Sequence, residues 1–598
     1  MATSSPPVVG PVGDRARAIA GAAVRLAAAT GRSLPDDLQL WALAGGRPVA
    51  GGGPSTGDGV ADQATAQSEA PDDGHGGADL AVALEAATHA DVRRVNGLHV
   101  TPRWLADQLA ARALDGMDGL PATTACDPAC GGGAFLLAAA RRLHRRGADR
   151  RRIVRHLLWG ADIDPVGLAV AEVVLALWAG EAPPPGRLVV ADSLAVGAAA
   201  WPDPPPAGFD VVVGNPPFQN QLGRSTARSR VEQQRLRARF GDAVRAYTDA
   251  AWLFLLLGCE LTRPGGRVVL IQPQSLVAAR DAAAVRDAVD GRARLRTMWV
   301  DERPVFAAAV RVCAPVLDVL DDRERGGRQG DAGPAWSARF ADAVGVPEVD
   351  MPSGPTLADH ADVFAGFRDE YYGLVDLVSE LDPAVDVDGS APDGVAPLVT
   401  CGSIDWLGSS WGRRPSRFAK RAWRAPVVDL GRLEAEGPRA ARRWVERTRV
   451  PKLVVATQTR VLETAVDDAG AWVPSVPVLS VVPHARQDVW RLAAALAAPA
   501  STAWLMRRAP GTALARGALK VAAPDLLDLP LPTDERAWDD ATAALCELVA
   551  HPSAHRREAF LAAASAAYGT PVAVTAWWRE RARVASPEPT GRRAPMRH

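Results

Sequence analysis

Two turns containing glycine and proline constrain this chain more than any other feature. The first, Asp127-Pro128-Ala129-Cys130-Gly131-Gly132-Gly133, follows a short apolar segment and precedes an alanine-rich stretch predicted to be helical over residues 134–143. Its glycines let a ligand approach the backbone beside a helix N-terminus. The second, Asn215-Pro216-Pro217-Phe218, follows the β-branched run Val211-Val212-Val213-Gly214. An open α/β sheet binds ligands beyond the carboxyl ends of its strands, so both turns are predicted to lie at one ligand-binding edge.

Strand and helix patterns alternate around these turns. Apart from the segments that adjoin the turns, the pattern predicts strands over residues 157–162, 188–191, 209–213 and 267–271 and a helix over residues 248–261. Upstream, Thr101 is predicted to cap a helix that has Pro102 in its first turn. This alternation predicts an α/β fold with a Rossmann-like, doubly wound parallel sheet.

The chain is too long for one core, because 598 residues exceed the size at which single cores stop growing. After residue 320 the alternation fades into short strands, basic helices and proline-rich turns, which predicts a C-terminal mixed α+β domain. The predicted organisation is an N-terminal helix and disordered linker over 1–95, a catalytic domain over 96–320, a linker over 321–355, a second domain over 356–535, and a helical segment with a basic tail over 536–598.

Composition argues against several classes of protein. The three lysines lie at 420, 452 and 520, so the first 419 residues cannot hold the lysine-containing phosphate loop of a P-loop ATPase or the acid-and-lysine metal site of a common nuclease domain. The six cysteines are scattered without a zinc-type pattern, so no metal site is predicted. With no leader signal and no long apolar run, we expect a soluble cytoplasmic protein without a membrane partner.

Acidic residues after two further strands extend the predicted ligand site. Asp162 and Asp192 follow the second and third strands, where one carboxylate can accept hydrogen bonds from ribose hydroxyls and the other from an exocyclic amine. Dinucleotides and S-adenosyl-L-methionine both fit this layout, and the Asn-Pro-Pro-Phe turn favours methyl transfer. An Asn oxygen and a proline carbonyl can each accept one hydrogen of a conjugated amine, which pushes its nitrogen toward tetrahedral geometry without a general base or a metal.

Five motifs carry a resemblance to a known family. They are Val100-Thr101-Pro102, the segment from Asp127 to Leu136, Gly160-Ala161-Asp162-Ile163-Asp164-Pro165, Ala191-Asp192 and Asn215-Pro216-Pro217-Phe218. In these motifs and in their order the chain resembles the gamma-type, TaqI-like N6-adenine DNA methyltransferases of restriction-modification systems. Phe218 stands where that family often has Tyr, a change that keeps an aromatic face for stacking.

The resemblance implies a role for each matching residue. Thr101 and the first turn, with Ala129, Gly131 and Gly133, would hold the methionine end of S-adenosyl-L-methionine. Asp127 belongs to the same turn, Asp162 would bind the ribose, and Asp192 the adenine amine of the cofactor. The target adenine would be held by Asn215, Pro216, Pro217 and Phe218, with Phe306 stacking on its other side. The implied partners are double-stranded DNA and a separately encoded restriction endonuclease.

Basic residues of the second domain are candidates for DNA contact. They are Arg417, Lys420, Lys452 and Lys520, and aromatic residues at Trp411, Phe418 and Trp423 are interleaved with the first two. Such a mixture is typical of a nucleic-acid groove, although an ordinary solvated arginine face would give the same pattern. The domain also resembles the target-recognition region of the same methyltransferases, and recognition is predicted to lie here.

The sequence leaves alternatives to DNA methylation open. The Asn-Pro-Pro-aromatic turn also occurs in methyltransferases that act on protein glutamine and on ribosomal RNA, and an inactive DNA-binding defence protein would keep the fold without the chemistry. The motif order and the large second domain favour DNA, with the protein as the modification arm of a restriction-modification or phage-defence system. The recognition sequence, the oligomeric state and the existence of a cognate nuclease do not follow from the sequence.

Overall fold

The structure is a computed structural model that describes residues 101–117, 122–218, 229–245, 248–301, 305, 311–321, 323–324, 335–366, 368–381, 391–508 and 519–585. The chain divides into two compact units, Met1–Gly333 and Pro334–His598. The predictions for residues 1–95 and for the basic tail after 585 lie outside the described residues. The division falls inside the predicted linker, and the finer domain boundaries stay predictions.

Unit 1 alternates strands and helices. Its helices are α1 Arg103–Leu114, α2 Ala134–Arg145, α3 Arg150–His156, α4 Pro165–Ala179, α5 Ser193–Val196, α6 Arg230–Phe240, α7 Ala250–Leu261, α8 Ser275–Ala278 and α9 Ala283–Asp290. Its strands are β1 Ala125–Asp127, β2 Leu158–Asp162, β3 Leu188–Val190, β4 Phe209–Gly214, β5 Thr262–Leu270, β6 Gln272–Pro273, β7 Ala293–Val300 and β8 Val312–Val319.

These strands form one mostly parallel sheet, as the alternation predicts. Its order is β3-β2-β1-β4-β5-β8-β6, with β7 paired to β8. The pairs β1–β2, β2–β3, β1–β4 and β4–β5 are parallel, whereas β8 runs antiparallel to its neighbours. The strand order reverses between β1 and β4, and in such sheets ligands bind in the crevice at this reversal. The turns that follow β1 and β4 are the two turns singled out by the sequence.

Burial explains why the central strands read as continuous apolar runs. Every residue of β1 and β2 is buried, as is each residue of β4 except Asp210. Strands covered on both faces need apolar side chains at successive positions, not alternate ones. β5 begins five residues earlier than predicted, because the chain at Pro264-Gly265-Gly266 continues the strand through a register shift opposite β4 and does not leave it as a turn.

Unit 2 is a mixture of short strands and helices. Its strands are β9 Ala361–Ala365, β10 Val378–Glu380, β11 Val395–Val399, β12 Ile404–Asp405, β13 Gly408–Ser409, β14 Ser416–Phe418, β15 Arg421–Trp423, β16 Pro426–Asp429, β17 Lys452–Val455, β18 Gln458–Thr459, β19 Thr464–Asp467, β20 Val473–Pro474, β21 Leu479–Pro483 and β22 Leu519–Lys520. Its helices are α10 Trp336–Ala343, α11 Arg368–Val375, α12 Leu430–Glu436, α13 Arg439–Thr448, α14 Val489–Ala497, α15 Pro499–Arg508, α16 Ala523–Leu527, α17 Glu535–Ala550, α18 Ala554–Ala567 and α19 Val572–Ala585.

Two four-stranded sheets organise unit 2, in the orders β10-β16-β11-β20 and β19-β17-β21-β9. The second sheet shares a core with the C-terminal helices, where Phe560 and Trp578 are buried. Within the predicted linker, α10 buries Trp336 and Phe340, so part of that segment packs into unit 2. The α/β sheet with an additional α+β region is the predicted fold class, which is confirmed.

In the part of the chain that the structure describes, no helix is both long and apolar enough to span a membrane.

Candidate active site

The first turn forms a left-handed glycine loop between β1 and α2. Gly131 and Gly133 have φ angles of 47° and 80°, a conformation that residues with a Cβ rarely adopt. A Cβ on Gly133 would lie 2.9 Å from the Cβ of Ala171 in α4, whereas one on Gly131 would meet nothing within 4 Å. The Cys130 amide donates to the Ala161 carbonyl at 2.9 Å, which ties the loop to β2. The loop therefore packs closely against α4 at Gly133, and space is left beside the Cα of Gly131.

Asp162, at the end of β2, braces this loop. Its Oδ2 accepts a hydrogen bond from the Gly131 amide at 2.8 Å, and its Oδ1 accepts one from the Asp164 amide at 2.8 Å. The residue is 8% exposed, and this burial raises the pKa of its carboxyl. Each carboxylate oxygen has a second acceptor site, so Asp162 can hold the loop and still accept a ligand hydroxyl.

Asp127 lies beneath both turns. It is 1% exposed, and its Oδ1 accepts a hydrogen bond from the Ala129 amide at 3.1 Å. A Cβ on Gly214, at the end of β4, would lie only 2.4 Å from the same oxygen. The carboxyl of Asp127 thus supports the glycine loop from inside.

Burial raises the pKa of Asp127 to about 8, because desolvation penalises the charged carboxylate more than the Ala129 amide stabilises it. A carboxyl whose pKa is raised on folding stabilises the native state most below its unfolded pKa of about 4, and this stability is lost as the pH rises through the folded value.

Replacing Asp127 with asparagine is therefore expected to flatten the pH dependence of unfolding between about pH 4 and 8. The wild-type free energy of unfolding should fall by up to about 1.4 kcal/mol per pH unit more steeply than that of Asp127→Asn. Urea denaturation of the full chain at pH 5, 7 and 9 measures this difference. The control is Asp149→Asn, which changes an exposed residue that caps α3. Equal slopes for Asp127→Asn and wild type would contradict the raised pKa of Asp127.

The ends of β2 and β3 add an exposed apolar surface. Asp162 pairs in register with Val190, and the side chains of Ile163 and Val190 are 65% and 59% exposed. Asp192 is also exposed, and it caps α5 through the Ala195 amide at 3.2 Å. Two aliphatic side chains beside a carboxylate suit a planar base with an exocyclic amine. The sequence reasoning missed these aliphatic residues, although each adjoins a strand-end acid.

The second turn is joined to Thr101 at the start of unit 1. The Asn215 Nδ2 donates to Thr101 Oγ1 at 3.2 Å, across 114 positions of the chain. The prediction that Thr101 caps α1 is wrong: Pro102 is the N-cap residue, and no side chain caps this helix. The hydroxyl of Thr101 instead accepts a hydrogen bond from Asn215, so the Thr-Pro element and the Asn-Pro-Pro-Phe turn meet at one place.

The remaining residues of this turn are held by packing. Pro216 is buried, Pro217 is partly exposed, and Phe218 is partly buried against the apolar core of unit 1, as is Val305. Phe306, predicted to stack on the target base, lies outside the described residues. Among the described residues no group of three or more His, Cys, Asp or Glu could hold a metal ion.

In unit 2 the structure separates the predicted DNA contacts. Arg417, Lys420 and Lys520 are exposed. The prediction for Lys452 is wrong, because its side chain is fully buried and its Nζ forms an ion pair with Asp467. Trp411, Phe418 and Trp423 are also buried, so these aromatics support the fold and do not offer stacking surfaces.

Comparison with known proteins identifies the domain that carries the two turns. Residues 87–313 match the family model described as N-6 DNA Methylase. This segment of the chain is similar to the N-6 DNA methylase family. It contains the glycine loop, the strand-end acids and the Asn-Pro-Pro-Phe turn. The family agrees with the resemblance seen in the sequence, and the gamma-type subclass fits it. No curated protein matches the chain.

Several solved structures are similar to the chain at low sequence identity. The type IIL restriction-modification enzyme MmeI in complex with DNA has a TM-score of 0.53 at 12% identity, with 85% of this chain and 82% of that chain covered. The DrdV–DNA complex has a TM-score of 0.43 at 13% identity, covering 80% of this chain and 60% of that chain. A modification subunit of a putative type I restriction enzyme from Vibrio vulnificus YJ016 has a TM-score of 0.31 at 21% identity, covering 40% and 48%. At 12% identity the likeness to MmeI shows the fold alone.

Proposed function

We propose that the chain is a site-specific DNA methyltransferase that moves a methyl group from S-adenosyl-L-methionine to the N6 amine of an adenine flipped out of duplex DNA. The observation that carries the proposal is the hydrogen bond from Asn215 to Thr101 at 3.2 Å. It brings the turn suited to an amine acceptor against the element that, with the glycine loop, is proposed to hold the cofactor. Both lie in the segment that matches the N-6 DNA methylase family.

The residues at the strand ends fit S-adenosyl-L-methionine. The open side of the loop at Gly131 leaves room for close approach to the backbone, and the buried Asp162 keeps acceptor capacity for ribose hydroxyls. Ile163 and Val190 offer aliphatic surface to an adenine ring, with exposed Asp192 close in sequence to accept from its amine. When bound, the cofactor supplies an electrophilic methyl group on a sulfonium.

The Asn-Pro-Pro-Phe turn would prepare the acceptor. The side-chain oxygen of Asn215 and the carbonyl of Pro216 would each accept one hydrogen from the N6 amine, which frees the nitrogen lone pair for in-line attack. The N–H proton would be released to solvent after transfer. Phe218 would stack on the flipped base and so help offset the few kcal/mol that flipping costs. Pro216 is buried and Phe218 packs against the core, which would preorganise these groups.

Duplex DNA is the substrate that agrees best with the N-6 DNA methylase family model that residues 87–313 match. Unit 2 would supply the contacts that select a target sequence, with exposed Arg417, Lys420 and Lys520 as candidates. The protein would act in the cytoplasm as the modification arm of a restriction-modification or phage-defence system, alongside a separately encoded endonuclease.

Methylation assays with three substrates test the proposal. The full chain is incubated with tritiated S-adenosyl-L-methionine and, separately, with unmethylated genomic DNA, total RNA and cell-extract protein, followed by nucleoside analysis and single-molecule sequencing of the DNA. Label in N6-methyladenine at one short motif is the expected result. Label confined to RNA or to protein glutamine would overturn the DNA assignment, and label in none would overturn the activity.

A further inference from the structure

A short hairpin of unit 2, β14–β15, presents basic side chains from a rigid base. Phe418 and Trp423 are buried on its inner face, and the Trp423 indole donates to the Phe418 carbonyl at 2.9 Å. The ring of Tyr371 packs against Phe418 with centroids 5.1 Å apart, and its hydroxyl accepts a hydrogen bond from the Ala419 amide at 3.1 Å. The hairpin is thus fixed to the body of unit 2 by aromatic side chains.

Most basic residues in and around this hairpin already have intramolecular partners. Arg414 pairs with Asp405 at 2.7 Å, and the guanidinium of Arg421 lies 4.6 Å from the centre of the Trp423 ring. Arg413 and Arg424 donate to the backbone carbonyls of Ser409 and Gly412.

Arg417 and Lys420 differ from these neighbours. Both side chains are exposed, and neither side chain forms an ion pair or a hydrogen bond with any part of the chain that the structure describes. Arg417 lies on the outer face of the hairpin, opposite the small and exposed Ala422. The fold therefore leaves one guanidinium and one ammonium available to a ligand of negative charge.

The turn of the hairpin is conformationally strained. Ala419 and Lys420 have φ angles of 49° and 64°, and with Leu407 they are the non-glycine residues with positive φ in the described chain. Two-residue hairpin turns of this kind favour Asn-Gly, because a Cβ is disfavoured at positive φ. The pairing of Phe418 with Arg421 leaves Ala419 and Lys420 as the two turn residues, so Lys420 lies at the apex. Non-glycine residues at positive φ are found preferentially at functional positions.

We propose that the β14–β15 hairpin enters the major groove of DNA, with Arg417 reading a base edge and Lys420 contacting a backbone phosphate. The inference rests on the proposed DNA methyltransferase function. A two-stranded ribbon fits the groove, and the planar fork of arginine matches the paired acceptors of guanine. Lysine acts as a point charge, which suits a phosphate at the apex.

Binding and methylation by single variants of the full chain test this assignment. Arg417→Ala is expected to weaken binding to unmethylated DNA that contains the target motif by about 5- to 100-fold. It should also relax the base preference at one position of that motif. Arg417→Lys keeps the charge but loses the fork, so the same relaxation is expected. Lys420→Ala should weaken binding to all sequences alike and lower the slope of log affinity against log salt by about 0.9.

Arg443→Ala is the matched control, because the side chain of Arg443 is exposed on α13 and likewise forms no ion pair or hydrogen bond within the described residues. It should keep the motif and the affinity of the wild type. Wild-type motif and salt slope in all hairpin variants, or equal losses in Arg443→Ala, would overturn the hairpin assignment while the wild type still methylates DNA. Failure of the unmutated chain to methylate DNA would instead overturn the proposed function.

Discussion

Replacing Asn215 with alanine is expected to lower the rate of methyl transfer by about 10²- to 10³-fold or more. The change removes the side-chain oxygen proposed to accept a hydrogen of the N6 amine, an interaction that strengthens as the nitrogen becomes tetrahedral. Cofactor binding should persist, because Asp162, Asp192 and the glycine loop are untouched. Single-turnover methylation of motif-containing DNA, with cofactor affinity measured separately by calorimetry, gives the two quantities.

Two further variants separate chemistry from orientation. Asn215→Asp keeps an acceptor oxygen and can accept a hydrogen bond from the Thr101 hydroxyl, so we expect it to retain more activity than Asn215→Ala. Thr101→Val removes the hydroxyl that accepts a hydrogen bond from the Asn215 amide at 3.2 Å. Because Thr101 is also proposed to hold the cofactor, the rate of this variant is compared at saturating cofactor, where it should fall less than that of Asn215→Ala. Wild-type methylation by Asn215→Ala would refute the assigned role of this turn.

Phe218→Ala is expected to lose activity for a different reason, the loss of stacking on the flipped base.

The sequence predicted the sheet and the two turns because their determinants are local. Continuous apolar runs marked strands covered on both faces, and glycine or proline marked the points at which the chain left them. The sequence alone therefore assigns the loop at Gly131 and the turn at Asn215 to the same carboxyl edge of the parallel sheet. Arg417 and Lys420 were predicted as DNA contacts together with Lys452 and Lys520, but only the structure separates them from four basic neighbours that have intramolecular partners.

What the sequence could not show depends on contacts between distant positions. Thr101 has the residue type of a helix cap, yet its hydroxyl bonds to Asn215, 114 positions away. Ile163 and Val190 are exposed, and parallel pairing of β2 and β3 brings their strand ends together. Lys452 looked like a phosphate contact by residue type alone, and its burial follows from pairing with Asp467 across two strands.

Replacing Lys452 with alanine is expected to destabilise unit 2 by about 3–5 kcal/mol, the cost of leaving one partner of a buried ion pair without the other. The ammonium of Lys452 pairs with Asp467 and donates to the Trp472 carbonyl at 2.9 Å. Desolvation lowers the pKa of Lys452, and the charge of Asp467 opposes that shift. Without the ammonium, Asp467 keeps only backbone donors, from Ala471 and Trp472 at 2.9 Å each.

Hydrogen exchange of peptides that span β17 and β19 measures the loss in the full chain. Lys520→Ala removes the same charge from an exposed position and should stay within about 0.5 kcal/mol of the wild type. The double variant Lys452→Met/Asp467→Asn removes both charges and keeps an acceptor oxygen for one of the two backbone amides, which donate to different oxygens of Asp467, so it should recover part of the stability. If Lys452→Ala instead kept native protection and lowered the salt slope of DNA binding by about 0.9, Lys452 would be a phosphate contact after all. We expect the loss of stability, because Lys452 is buried beside Asp467. Its ammonium cannot reach a phosphate unless β17 unfolds.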